Sequence, residues 1–174
     1  WVDETFPLDS YPMAFGNLAA EANTQRFTGN GGTGIVLRFG WFYGPGAAHS
    51  EQFLNLAKQH VCVMMGSPHS FVSSIHVADG GNAVAAALHA PAGAYNVTDN
   101  EPLTKLDYAN ALGRAVNTKP WVRVPGMLAL LLGNRSTSLT RSLRVQNALF
   151  RSTTGWEPKF PNARIGLIQT ARKT

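Results

Sequence analysis

Six residues, GNGGTG from Gly29 to Gly34, satisfy GxGxxG, the spacing by which many proteins hold the pyrophosphate of a dinucleotide. That chemistry requires the glycines to leave a strand and open a helix, because a helix amino terminus and bare backbone N–H groups receive the phosphates. Here the order is reversed. FGNLAAEANTQRF precedes the glycines, with Phe15, Leu18 and Ala22 at helical spacing, and GIVLRFGWFYGPG follows, its Ile35, Val36 and Leu37 reading as a buried strand. The glycines are therefore expected to stop a helix and turn the chain into a strand, where positive φ costs glycine little.

The remaining reactive side chains are sparse. His49, His60, His69, His76 and His89 fall in no HExxH or paired arrangement, so no metal site is assigned. Cys62, the single cysteine, excludes an internal disulfide and any CxxC motif. It is expected as a small buried hydrophobe in a reducing cytoplasm. His76 and Asp79, in SSIHVADGG, are expected to be a packed histidine and a helix cap.

The elements that must position such residues alternate. SEQFLNLAKQH places Phe53, Leu56 and Ala57 on one helical side, and VCVMMG is a short strand candidate. A helix through Val84, Ala85 and Leu88 stops at Pro91 and Gly93, and AYNVTD follows as a strand. Thr104 and Asp107 resemble a capping box for TKLDYANALGRAV, burying Leu106, Ala109, Leu112 and Val116. PGMLALLL, SLTRSLRVQNALF and NARIGLIQTAR read as further short helices. Strands alternating with helices indicate α/β with a parallel sheet. Only Gly34 to Trp41 and Ala94 to Thr98 look central, however, and parallel strands need neighbours and covered faces.

At 174 residues, 44% hydrophobic and 14% charged, the chain can bury one ordinary core. Its longest apolar run, Met127 to Leu132, is far below the roughly 20 residues that span a bilayer. WVDETFP carries no signal-peptide pattern, and a start at Trp1 suggests that an upstream portion is missing. The expected location is the cytoplasm. The net charge of +5 is uneven: from Asn110 onward, eleven Lys and Arg face Glu157 alone. Such a patch attracts anions, and Arg141, Arg144 and Arg151 could share one side of a helix. No nucleic-acid module accompanies it.

LRFGWFYGPG, SSIHVADGGNAVAAAL, GAYNVTDNEPLT and NALFRSTTGWEPKF, in that order and spacing, resemble the later half of extended short-chain dehydrogenases/reductases, the NAD-dependent epimerase/dehydratase family. The resemblance implies the C-terminal part of a Rossmann-like parallel sheet plus a small, mostly helical substrate-binding lobe. Residues 1–100 would supply the sheet portion and 101–174 the basic lobe. The N-terminal half, with the true phosphate loop, would lie outside this sequence, and NAD or NADP would be bound mainly by that half.

The same resemblance assigns site positions. The family uses a YxxxK pair, in which the tyrosine exchanges a proton and the lysine tunes it and holds the nicotinamide ribose. Counting back from Glu21, the tyrosine position falls on Met13 and the lysine position on Asn17. Counting forward from Tyr11, the lysine position falls on Phe15, so neither register contains the pair. Tyr11 is the catalytic candidate. Met13, Asn17, Phe39, Gly40 and Trp41 are assigned to the cofactor, and Trp41, Tyr43 and Val72 to the substrate. Val72 stands where many sugar-nucleotide enzymes of the family carry a diphosphate-binding arginine.

The implied function is the substrate-binding portion of an NAD(P)-dependent oxidoreductase or epimerase acting on a small molecule, with self-association or pairing to the missing half. The alternatives are a redox-silent NAD(P)-binding sensor of the same fold, and a binder of nucleic acid or an acidic partner through the basic tail.

Overall fold

The computed structural model of the chain describes residues 1–63, 67–119, 122–124 and 141–172. After a 3-10 turn at Pro12–Ala14, helix α1 (Phe15–Gly29) leads through the glycine turn to β1 (Ile35–Phe39) and β2 (Trp41–Tyr43). Then follow α2 (Ala48–Lys58), β3 (Val61–Val63), β4 (Phe71–Val72), β5 (Ser74–His76) and α3 (Val77–Ala87). The order continues with β6 (Gly93–Val97), β7 (Leu103–Thr104), α4 (Lys105–Ala115), β8 (Val122–Val124), α5 (Ala148–Thr154) and α6 (Ala163–Ala171).

Among the described residues three strand pairs are parallel and one is antiparallel. β1 runs beside β6 with Ile35 opposite Gly93 and Phe39 opposite Val97, β2 beside β5, and β3 beside β8. β4 and β7 form an antiparallel pair, Phe71 opposite Thr104. The expected strand from Gly34 to Trp41 is thus two strands broken at Gly40, and Ala94 to Thr98 is shifted by one residue. The strand expected in VCVMMG is present as β3.

Two cores hold these elements. One gathers Ile75, Ala83, Ala87, Tyr95, Val97, Phe150 and Trp156 between the sheet, α3 and α5. Small residues let α3 lie close: a Cβ on Gly80 would stand 2.5 Å from the Phe42 ring. The other joins Tyr43 to Leu54, Leu103, Tyr108, Leu112, Ala163 and Leu167 of the α2, α4 and α6 group. The caps are local. Thr104 Oγ1 accepts from Asp107 N (3.0 Å), the N-cap half of the expected capping box, and donates to Asp107 Oδ2 (2.8 Å) in place of the reciprocal backbone bond. Asn162 Oδ1 accepts from Ile165 N to start α6, and Gly155, at φ 70°, ends α5.

Three sequence expectations are corrected. Asp79 does not cap α3; His76 Nδ1 does, accepting from Ala78 N at 3.2 Å. The fully buried Asp79 carboxylate instead accepts the N–H groups of Lys159 (3.0 Å) and Phe160 (2.9 Å), tying the chain after α5 to α3. On α2 the buried positions are Ser50, Leu54 and Ala57, so Ala57 is buried as expected, while Phe53 and Leu56 are only half-buried and Phe53 packs against that core. In the described part of SLTRSLRVQNALF the helix begins only at Ala148, so Arg141 and Arg144 lie on an extended segment and share no helix face with Arg151. That segment is extended because its backbone is bonded sideways, Leu143 N to Phe71 O and Val2 N to Arg144 O. PGMLALLL lies outside the described residues.

Gly93 N bonds Gly34 O and Gly40 N bonds Val97 O, so by ladder alternation the peptide groups of Ile35, Leu37 and Phe39 face away from β6. Among the described residues no strand pairs with that edge. All five β1 residues are only half-buried, and α1 buries none of its own, leaving Phe15 and Phe27 more than half exposed.

Candidate functional site

The site begins with one peptide. Gly40 N still donates to Val97 O on β6 (3.0 Å), while Trp41 N donates to Ser73 O beside β5 (2.9 Å). The strand therefore changes neighbour within a single residue, and a crevice opens at the carboxyl ends of the parallel strands. A Cβ on Gly40 would stand 2.8 Å from Ser73 O, so only glycine permits this approach.

Ser73 organises the next wall. Its Oγ donates to Leu143 O (2.8 Å) and accepts from Val145 N (2.9 Å), holding residues 143–145 beside β4. Val2 bridges Val145 and carries the N-terminal segment over the crevice. The Arg144 guanidinium lies 4.1 Å from the Trp1 ring centroid and 5.0 Å from that of Phe71, closing this layer. On the α1 side, Glu21 accepts from Arg38 through both oxygens (3.0 and 2.7 Å), and Arg38 Nη1 donates to Glu4 O. Glu4 Oε1 in turn accepts from Asn96 N on β6 (2.8 Å).

Together these elements enclose a cavity of about 470 Å³. Tyr11, Asn17, Phe39, Gly40, Trp41 and Val72 all line it, although they come from four separate stretches of sequence. Tyr11 is half-buried just before the 3-10 turn, and the Arg141 guanidinium sits 4.7 Å above its ring. Trp41 packs edge-on against His49, ring centroids 5.2 Å apart. Met13 lies within the 3-10 turn.

Tyr43 is outside the cavity lining: it shares the face of β2 that carries Trp41 but lies two residues further along, where it is wholly buried in the helical core against His76 and Gly166. Its neighbourhood is titratable. Burial pushes the Asp99 carboxyl up to about 8, against the Ser74 and Tyr43 hydroxyls, which lower it. Tyr43 and Tyr108 are both held above the ordinary phenol range, by burial first and the Asp99 charge second. Cys62 is buried and unbridged, and no group of His, Cys, Asp and Glu suited to a metal occurs among the described residues.

The structure adds residues that spacing did not reveal: the Arg38–Glu21 pair, and Lys105, Arg141, Asn96 and Thr98 in the cavity lining. Lys105 heads α4 and is buried, which lowers its pKa from the ordinary lysine value. Only the excess of basic residues after Asn110 pointed towards Arg141. GNGGTG stays outside the lining. Cβ positions on Gly32 and Gly34 would overlap the Phe27 ring and Thr28 Oγ1 at 2.3 and 2.4 Å, so those glycines serve helix packing rather than a phosphate.

No family model matches the sequence. The chain is 32% identical over 140 residues to a 3-diazoavenalumate denitrifying reductase from Streptomyces sp., covering 77% of this chain and 46% of that protein. Among solved structures, a conserved protein of unknown function from Silicibacter pomeroyi is 28% identical with a TM-score of 0.75, over 99% of this chain and 60% of its own. The UDP-glucose 4-epimerase of Thermus thermophilus, solved with NAD, superimposes with a TM-score of 0.79 at 23% identity, over 98% of this chain and 56% of its own. The chain thus spans about half the length of the proteins it matches.

Proposed function

We propose, from the premise that the chain belongs by fold to the NAD-dependent epimerase/dehydratase branch of the extended short-chain dehydrogenases/reductases, that it forms the substrate-side wall of an NAD(P)-dependent redox site. The observation that carries this reading is the convergence of Tyr11, Asn17, Phe39, Gly40 and Trp41 on one cavity, where β1 leaves β6 for β5. Residues 1–100 act as the sheet portion and 101–174 as the substrate lobe, with α2 packed into the lobe core and α5 into the sheet core.

The cavity fits the nicotinamide end of a dinucleotide: Gly40 offers bare backbone, and Trp41 a flat wall. It does not supply a phosphate cradle, which on this reading comes with the remaining length of the fold. When bound, NAD or NADP donates or accepts a hydride. The chain's own part is positional and protic. Tyr11 is held at the cavity wall under Arg141 and exchanges a proton with the substrate oxygen. The layer of Val2, Val145 and Ser73 forms one wall of the cavity. The substrate is a small molecule, since about 470 Å³ is near the lower end of the roughly 300–1,000 Å³ of ordinary ligand sites.

In the natively expressed protein, Tyr11→Phe should lower turnover about a hundredfold or more while NAD(P)H affinity is unchanged. Unaltered turnover would remove Tyr11 from the chemistry. NAD(P)H binding with no turnover of any substrate by the wild type would favour the redox-silent sensor, a reading suggested by Met13 and Asn17 at the Tyr and Lys positions.

A further inference from the structure

Arg141 is built into the same cavity with a placeholder on it. Its guanidinium lies over the Tyr11 ring and pairs with Asp9 through Nη2 and a single carboxylate oxygen. Asp9 is 65% exposed and Arg141 only 28%, so the acid is the loosely held partner of a pair that contributes little at a surface. A carboxylate entering the cavity can take both oxygens to the guanidinium, the stronger bidentate arrangement. Lys105 brings a second cationic side chain to the lining. The other acids there are engaged elsewhere: Glu21 with Arg38, and Asp3 with the Thr5 backbone and hydroxyl.

The walls specify the rest of the ligand. Phe6, Tyr11, Phe39, Trp41 and Phe71 all line the cavity, giving it aromatic walls suited to a ring. Beneath it, Asn96 Nδ2 and Thr98 Oγ1 are buried with no hydrogen-bond partner, although both residues line the cavity. Such groups ordinarily meet a water or a ligand oxygen.

We infer that the cavity selects a small planar aryl carboxylate, its ring against the aromatic walls and its carboxylate on Arg141 in place of Asp9. This rests on the reading of the cavity as the substrate pocket, and the test separates the two. The fluorescent probe 2-naphthoate and its neutral amide, 2-naphthamide, are titrated into the natively expressed protein, and NADPH is titrated separately.

Naphthoate should bind about tenfold or more tightly than the amide. Arg141→Gln should erase that preference while leaving amide affinity in place, Arg141→Lys should keep part of it, and Asp9→Asn should tighten naphthoate binding by removing its competitor. Equal affinity for the two probes, or an Arg141→Gln loss shared equally by both, would overturn the inference. If Arg141→Gln fails to fold, Arg141→Lys and Asp9→Asn decide: an anion preference untouched by both contradicts it. Absence of NADPH binding with the naphthoate preference intact would instead count against the redox reading alone.

Discussion

At the level of single residues, two buried acids carry opposite duties. Asp79 satisfies two backbone N–H groups that nothing else reaches, so Asp79→Ala should cost about 3 kcal/mol by leaving both unpaired, read from denaturant unfolding. A loss under about 0.5 kcal/mol would show that water replaces it. Asp99 sits in the core with its pKa pushed up to about 8, from 3.8 for the free side chain. Between those values the folded state holds a proton that the unfolded chain has released. Stability from this group is therefore fully present below about pH 4 and declines as pH rises towards 8, by up to about 1.4 kcal/mol per unit. Asp99→Asn should flatten that slope. A slope that survives the substitution assigns it to another group.

At the level of elements, glycines set the close approaches. A Cβ on Gly166 of α6 would stand 2.4 Å from the Tyr43 hydroxyl oxygen and 2.5 Å from its ring. Gly166→Ala should therefore destabilise by about 1–3 kcal/mol, and Tyr43→Phe in the same chain should recover part of that; a neutral Gly166→Ala would show that α6 can slide. Much at this scale was legible from sequence. The capping box at Thr104, the glycine stop after α1 and the parallel strands all follow from local chemistry and hydrophobic period. What was not legible depends on partners distant in the chain. Nothing near Asp79 announces that Lys159 and Phe160 will take its carboxylate, and nothing in SLTRSLRV announces the lateral bonds from Leu143 to Phe71 and from Val2 to Arg144. The cavity lining was half legible: family spacing pointed to Tyr11, Asn17, Trp41 and Val72, whereas Arg141 and Lys105 join them there only through tertiary folding. Tyr43 went astray because, two residues beyond Trp41 on the same face of β2, it is already covered by the core of α2, α4 and α6.

At the level of the whole molecule, β1 keeps an edge that no strand among the described residues pairs with, and Phe15 and Phe27 of α1 are exposed beside it. Unpaired strand edges invite association. On its own, the chain is expected to self-associate with rising concentration in sedimentation, and a substrate-reducing monomer would contradict the proposal that the remaining length completes the site. No helix among the described residues is long and apolar enough to cross a membrane. The basic excess is partly neutralised, Arg151 pairing with Glu157 and Arg164 with Glu101, which weakens the case for a nucleic-acid surface.

The most direct test of the redox cavity is amide hydrogen exchange of the natively expressed protein with and without NADPH. Exchange should slow at Tyr11 to Asn17 and at Phe39 to Trp41, and stay unchanged at Gly29 to Gly34. Protection centred on those glycines, or no protection around Gly40 at saturating NADPH, would contradict the account.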